Sequence, residues 1–158
     1  MKISKSRLKQ IIKEELRSVL TELHDEEPGY TMRTASGEHV PYPTDIPEGL
    51  PADLMLKLQQ LAVADPAHAS ELAASLIQDY EKLEEISDYL YDFAIAELTK
   101  NSRVSVIIDD GDTGFGPAKI HIYEEEDGEM YFAGNFPRTA PRSEVYESIQ
   151  ELINNPLT

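Results

Sequence analysis

Between Pro66 and Gly111 the chain contains neither glycine nor proline. A stretch this long without a breaker must be spent on regular elements rather than turns. Pro66 suits a first helical position, and Asp65 before it suits an N-cap. Apolar residues follow at Ala69, Leu72, Ala73, Leu76, Ile77, Tyr80, Leu83, Ile86, Leu90, Phe93, Ala94 and Leu98. At 100° per residue they hold one side of a helix, while Glu81, Glu85, Asp88 and Asp92 take the other. The pattern predicts a long helix over Pro66–Lys100, and a kink near Gln78–Tyr80 fits it almost as well.

After Lys100 the period changes. Arg103–Asp109 is a β-branched run, and Ala118–Glu124 alternates, with Ile120 and Ile122 opposite His121 and Tyr123. Asp127–Gly128 is a strong two-residue hairpin signal, so Glu129–Ala133 returns as a third strand. A loop over Gly134–Arg142 leads to Ser143 as an N-cap. A last helix, Glu144–Asn154, then places Val145, Ile149, Leu152 and Ile153 on one face. Upstream, Leu50–Ala64 reads as a helix with Leu54, Leu58, Leu61 and Ala62 together, and the Asp65–Pro66 step turns it into a hairpin or corner with the long helix. Residues 50–158 thus read as an α+β domain: a helical hairpin with one long helix, a three-stranded antiparallel β-meander and a C-terminal helix.

Two segments precede that domain. His24–Gly49 holds four prolines, three glycines and six acids against the single Arg33, which reads as a linker. As a flexible coil it spans on the order of 28 Å. Met1–Leu23 reads as a separate amphipathic helix, capped by Ser4, with Leu8, Ile11, Ile12, Leu16, Val19, Leu20 and Leu23 along one stripe. A helix of that length is marginal alone, so its stripe calls for a partner.

Charge divides along the same line. Met1–Leu23 carries six basic side chains (Lys2, Lys5, Arg7, Lys9, Lys13 and Arg17) and three acidic ones; the remainder carries eight and 27, within a formal net charge of −16. Such a balance argues against direct contact with nucleic acid or an anionic membrane and favours a basic protein surface. No apolar run reaches the length of a membrane span, and charges interrupt Met1–Leu23 too often for a secretory signal. A soluble cytoplasmic protein is the expectation. Without cysteine there is no disulfide, thiolate metal site or thiol nucleophile.

The constellations that could carry chemistry each have a plainer reading. The row Glu81, Glu85, Asp88 and Asp92 is either a solvated helix face or a docking strip for a basic helix, the leader being the candidate within the chain. The partner-binding residues are then Leu8, Lys9, Ile12, Lys13, Leu16, Arg17 and Val19 on the leader, facing those four carboxylates. In Asp109–Gly116, Asp110 and Asp112 resemble the start of a calcium loop, but Gly114 and His121 stand where an EF-hand needs its fifth and twelfth ligands. A glycine-supported turn is the better reading, with Asp110 and Asp112 as weak metal candidates. Glu124, Glu125, Glu126, Asp127 and Glu129 crowd the second turn and read as solvated carboxylates. The four histidines lie far apart in sequence, no familiar catalytic motif is present, and no cofactor is implied.

The opening MKISKSRLKQIIKEELRSVLTE resembles N-terminal leaders of virion and assembly proteins of large marine tailed bacteriophages. The resemblance covers roughly Met1–Glu22 and nothing after it. It implies targeting of an internal protein to the assembling head and cleavage after a Leu-x-Glu sequence, which Leu20-Thr21-Glu22 matches, placing the cut at Glu22. Leu23 is bulkier than the small residue usual after such a cut. The resemblance implies a non-enzymatic, virion- or assembly-associated accessory or adaptor protein recruited through its N-terminal helix, with a capsid- or scaffold-like partner. From composition alone the alternatives are an acidic inhibitor or nucleic-acid mimic binding a basic partner, and a small enzyme with an unrecognised acidic site.

Overall fold

The computed structural model describes residues 7, 9, 11–12, 29–42, 46–111 and 116–157. Among the described residues from Gly29 on, the chain is a mixed α+β fold with four helices and one five-stranded sheet. In chain order the elements are β1 (Tyr30–Arg33), β2 (His39–Pro41), α1 (Ala52–Ala64), α2 (Pro66–Leu76), α3 (Tyr80–Lys100), β3 (Val104–Asp109), β4 (Lys119–Glu126), β5 (Glu129–Pro137) and α4 (Arg142–Asn154).

The long helix is two helices. Ile77 and Asp79 are extended, and Asp79 starts α3 by accepting the Glu81 N–H at 3.3 Å. The break has a packing cause. Leu58 and Ala62 of α1, Ala69 and Ala73 of α2, and Ile86 and Leu90 of α3 meet in one cluster, which a straight rod over 66–100 could not close. The alanines give α2 a shallow face for close approach, and Ser87 Oγ donates to Ser70 Oγ across the α2–α3 contact at 2.9 Å. Asp65 serves both neighbours: its backbone ends α1, and its carboxylate caps α2 through the His68 N–H at 3.2 Å. The expected hairpin is therefore a three-helix cluster.

The expected three-stranded meander is the right half of a larger sheet, ordered β2-β1-β3-β4-β5. Its β3-β4-β5 part is antiparallel, and the turn is as anticipated, with Asp127 and Gly128 at φ 54° and 82°. The segment that reads as a linker supplies the other two strands. β1 runs parallel to β3, with Tyr30 opposite Val106 and Met32 opposite Ile108, and β2 pairs antiparallel with β1. Glycine and proline there mark a hairpin and its exits: the Thr34 N–H donates to Glu38 O, and Gly37 turns at φ 83°. Pairing satisfies the backbone of β3 on its second edge, which the meander alone would have left open.

β5 also runs on to Pro137, beyond the expected end at Ala133, and α4 begins at Arg142 with Pro141 rather than Ser143 in the cap position. One face of the sheet carries Val104, Val106, Ile108, Ile120 and Ile122 into a core closed by Ile95 of α3 and Val145 and Ile149 of α4. No described helix is long and apolar enough to cross a membrane.

Candidate functional site

Asp92 does not belong to the exposed acidic row. It is only 4% exposed, on the side of α3 that faces β1 and α4. The Tyr30 hydroxyl donates to its Oδ1 at 2.7 Å, and Arg142 Nε lies 2.9 Å from the same oxygen, without the alignment of a hydrogen bond. Arg142 Nη1 donates to the Arg138 carbonyl at 3.2 Å. The ring of Tyr42, just past β2, meets that of Tyr30 edge to face, centroids 5.1 Å apart. Tyr30 and Arg142, far apart in the chain, meet on one carboxylate, and Tyr42 and the Arg138 carbonyl hold them in turn.

Burial sets the electrostatics of this cluster. Loss of solvent pushes the Asp92 carboxyl up to about 6, against the opposing pull of Arg142 and the Tyr30 hydrogen bond. Tyr30 is raised well above its usual value by burial and by the neighbouring Asp92, so its hydroxyl stays a donor. Desolvation disfavours the Arg142 charge, but with Asp92 as the largest opposing influence the group ends above its usual value and stays cationic. A carboxyl poised near 6 can take and release a proton around neutrality. The cleft of about 300 Å³ at the start of α4, however, is lined by Glu84, Ser87, Asp88, Tyr91 and Arg142 among others, and Asp92 is not part of its lining. The cluster braces the fold, and Arg142 is its member that lines this cleft.

The remainder of the acidic row is a surface feature. Glu81, Glu85 and Asp88 are exposed, and Glu84, which helical spacing also places among them, joins them. The Asp88 carboxyl is raised first by the solvent its neighbours displace, with Arg142 opposing and Glu84 adding to the rise.

Asp110 is paired: its Oδ1 contacts Arg138 Nη1, so a divalent ion would have to displace a guanidinium. Asp112 lies outside the described residues. Among the described residues no group of three or more His, Asp or Glu has the geometry of a metal site.

The second turn is less uniformly solvated than its composition suggests. Glu124 is 2% exposed and accepts the Leu157 N–H at 2.9 Å. It points to the core face because β4 alternates Ile120, Ile122, Glu124 inward, and the tail after α4 covers it. Beside this tail a cleft of about 240 Å³ opens between the sheet and α4, lined by Ile122, Gly134, Ser148, Leu152 and Leu157 among others.

On the leader, Arg7, Lys9, Ile11 and Ile12 are helical and exposed. Leu8, Lys13, Leu16, Arg17, Val19 and the cleavage candidate Glu22 lie outside the described residues. Sequence reasoning missed Tyr30, Tyr42 and Arg142. The signals available were the β-prone Tyr-Thr-Met-Arg before Ser36–Gly37 and a lone arginine after Pro141 on a strongly acidic chain. No protein family, curated protein or solved structure matches this chain.

Proposed function

We propose that the protein is a non-enzymatic adaptor, recruited through its N-terminal helix and presenting its α+β body to a basic protein partner. The observation that carries this reading is the run of carboxylates Glu81, Glu84, Glu85 and Asp88 along one side of α3, on a chain whose one strongly basic segment is Met1–Arg17. Opposed charges on two parts of a chain serve two different contacts better than one active site. The buried Asp92 is used to join α3 to β1 through Tyr30 and to α4 through Arg142.

The resemblance of the leader to those of tailed-phage virion proteins makes a capsid or scaffold surface the expected recruiter, with removal of the leader after Glu22. The mass of the protein isolated from its native source tests this directly. Loss of residues 1–22, together with capture of a capsid or scaffold protein by residues 1–23 fused to an unrelated carrier, supports the adaptor. An intact chain and a fusion that captures neither overturn it.

A second reading, an acidic inhibitor of a basic enzyme or nucleic-acid-binding protein, draws on the same four carboxylates. Salt-sensitive co-purification with a basic nuclease, lost when they are changed to their amides, distinguishes it.

A further inference from the structure

Among the described residues, the face of the sheet turned away from α3 and α4 is partly exposed, although Ser105 of β3 is buried there, and at β4 and β5 it is largely aromatic. Strand alternation sends Ile107, His121, Tyr123 and Phe132 to that side, and none of them joins either core cluster. The rings form a patch: Tyr123 and Phe132 meet edge to face at 5.8 Å, and His121 lies 6.3 and 6.4 Å from them. Phe132 is 56% exposed and Met130 beside it 43%. At one end the patch is bordered by the β4–β5 turn, with Glu125, Glu126, Asp127 and Glu129. An aromatic platform with a carboxylate rim is the complement of a helix with an apolar stripe and basic flanks.

The sequence of the same chain reads as such a helix near its N-terminus. On residues 4–23 the stripe Leu8, Ile11, Ile12, Leu16 and Val19 is interleaved with Lys5, Lys9, Lys13 and Arg17, and Ile11 and Ile12 are 39% and 49% exposed. We infer that residues 4–23 dock on the outer face of β4 and β5 of their own chain.

The point of entry fits this. Gly29 O accepts the Val106 N–H, and Tyr30, Val106 and Ile122 stand in register, so the chain enters β1 travelling from the end of the sheet that holds the acidic turn. From β1 to β4 is two strand spacings, about 10 Å. Residues 24–28, extended, reach about 17 Å. A helix over residues 4–23 is about 30 Å long and a five-stranded sheet about 19 Å wide, so the helix can cross the face.

The docking is independent of the recruiting role: a leader that does not dock here can still recruit. The test uses the full chain, whose lack of cysteine lets one nitroxide be placed through Ser18→Cys. Amide signals of Ile107, Tyr123 and Phe132 are expected to lose most of their intensity and recover when the nitroxide is reduced. Phe132→Asp and Ile12→Asp, both at exposed positions, should each abolish the loss. Attenuation centred on Glu81–Asp88, or none, overturns the proposal. So does attenuation in a mixture of spin-labelled chains with separate isotope-labelled chains, which would assign the face to a second copy.

Discussion

The Tyr30 hydroxyl reaches Asp92 Oδ1 at 2.7 Å across 62 positions of sequence, tying the first strand of the sheet to the middle of its longest helix. That bond adds a side-chain anchor to the strand pairing that holds residues 30–42 on the domain. β1 is only four residues long, and strand pairing this short is weak without a side-chain anchor.

Tyr30→Phe keeps the ring and deletes the donor. Above pH 6 the acceptor is ionised, and a hydrogen bond to a buried charge contributes about 1.5–3 kcal/mol. Urea denaturation should show a loss of that size. Amide exchange should accelerate in β1 and β2 before β4, and uniform acceleration across the sheet would refute a local anchoring role.

The raised Asp92 carboxyl makes stability fall as pH rises. Between its unfolded value near 4 and its folded value of about 6, the folded chain holds a proton that the unfolded chain has released. The contribution is full below pH 4 and gone above about pH 6, with a span of up to about 3 kcal/mol. Asp88, raised in the same direction, adds to the slope. Asp92→Asn should flatten the profile between pH 4 and 6 relative to the parent, and equal slopes in the two proteins would contradict this assignment.

Arg142→Met leaves the Asp92 charge buried without its cation. Breaking such a pair costs about 3–5 kcal/mol at pH 7, and less at pH 4, where Asp92 is protonated. The double variant Asp92→Leu with Arg142→Met should recover most of the loss. A double variant no better than Arg142→Met alone would show that packing, not charge, is what the arginine supplies.

Gly111 sits at φ 78°, donates its N–H to Asp109 Oδ1 at 2.9 Å, and has the backbone of Ala118 and Gly116 3.0 Å from where a Cβ would stand. Gly128, at φ 82°, has open space around it. Both changes to alanine force a left-handed residue, at about 1–2 kcal/mol. Gly111→Ala adds a clash and should lower the melting temperature clearly more than Gly128→Ala.

Glu81, Glu85 and Asp88 repel one another at helical spacing. Glu85→Lys should raise stability by about a few tenths of a kcal/mol at low salt, a gain that disappears in concentrated salt. If the face binds a basic partner, the stabilised variant binds less. Unchanged capture of that partner would leave the row as a solvated helix face.

What a reader of the sequence can locate here depends on how far a signal reaches along the chain. Asp65–Pro66, the Asp127–Gly128 turn, the alternation of Ile120 and Ile122 and the period of α4 are local, and each appears where expected. The break at Ile77–Asp79 is legible only as an option, because a capping aspartate and a continuing apolar period favour opposite outcomes. Asp92 shares the i, i+4 row of Asp88 and looks like one more surface acid. Its burial comes from Tyr30 and Arg142, one far before it and one far after.

The amino-acid order by itself determined the α+β class, the positions of most helices and strands, and the split between a basic N-terminus and an acidic body, since periodicity, turn residues and charge act over a few neighbours. Only the tertiary structure decided that residues 30–41 complete the sheet, that Asp92 and Glu124 are interior, and which face of the sheet the helices cover. Burial of a charge and pairing of a strand edge are decided by chain segments far apart in sequence, and no local pattern contains that information.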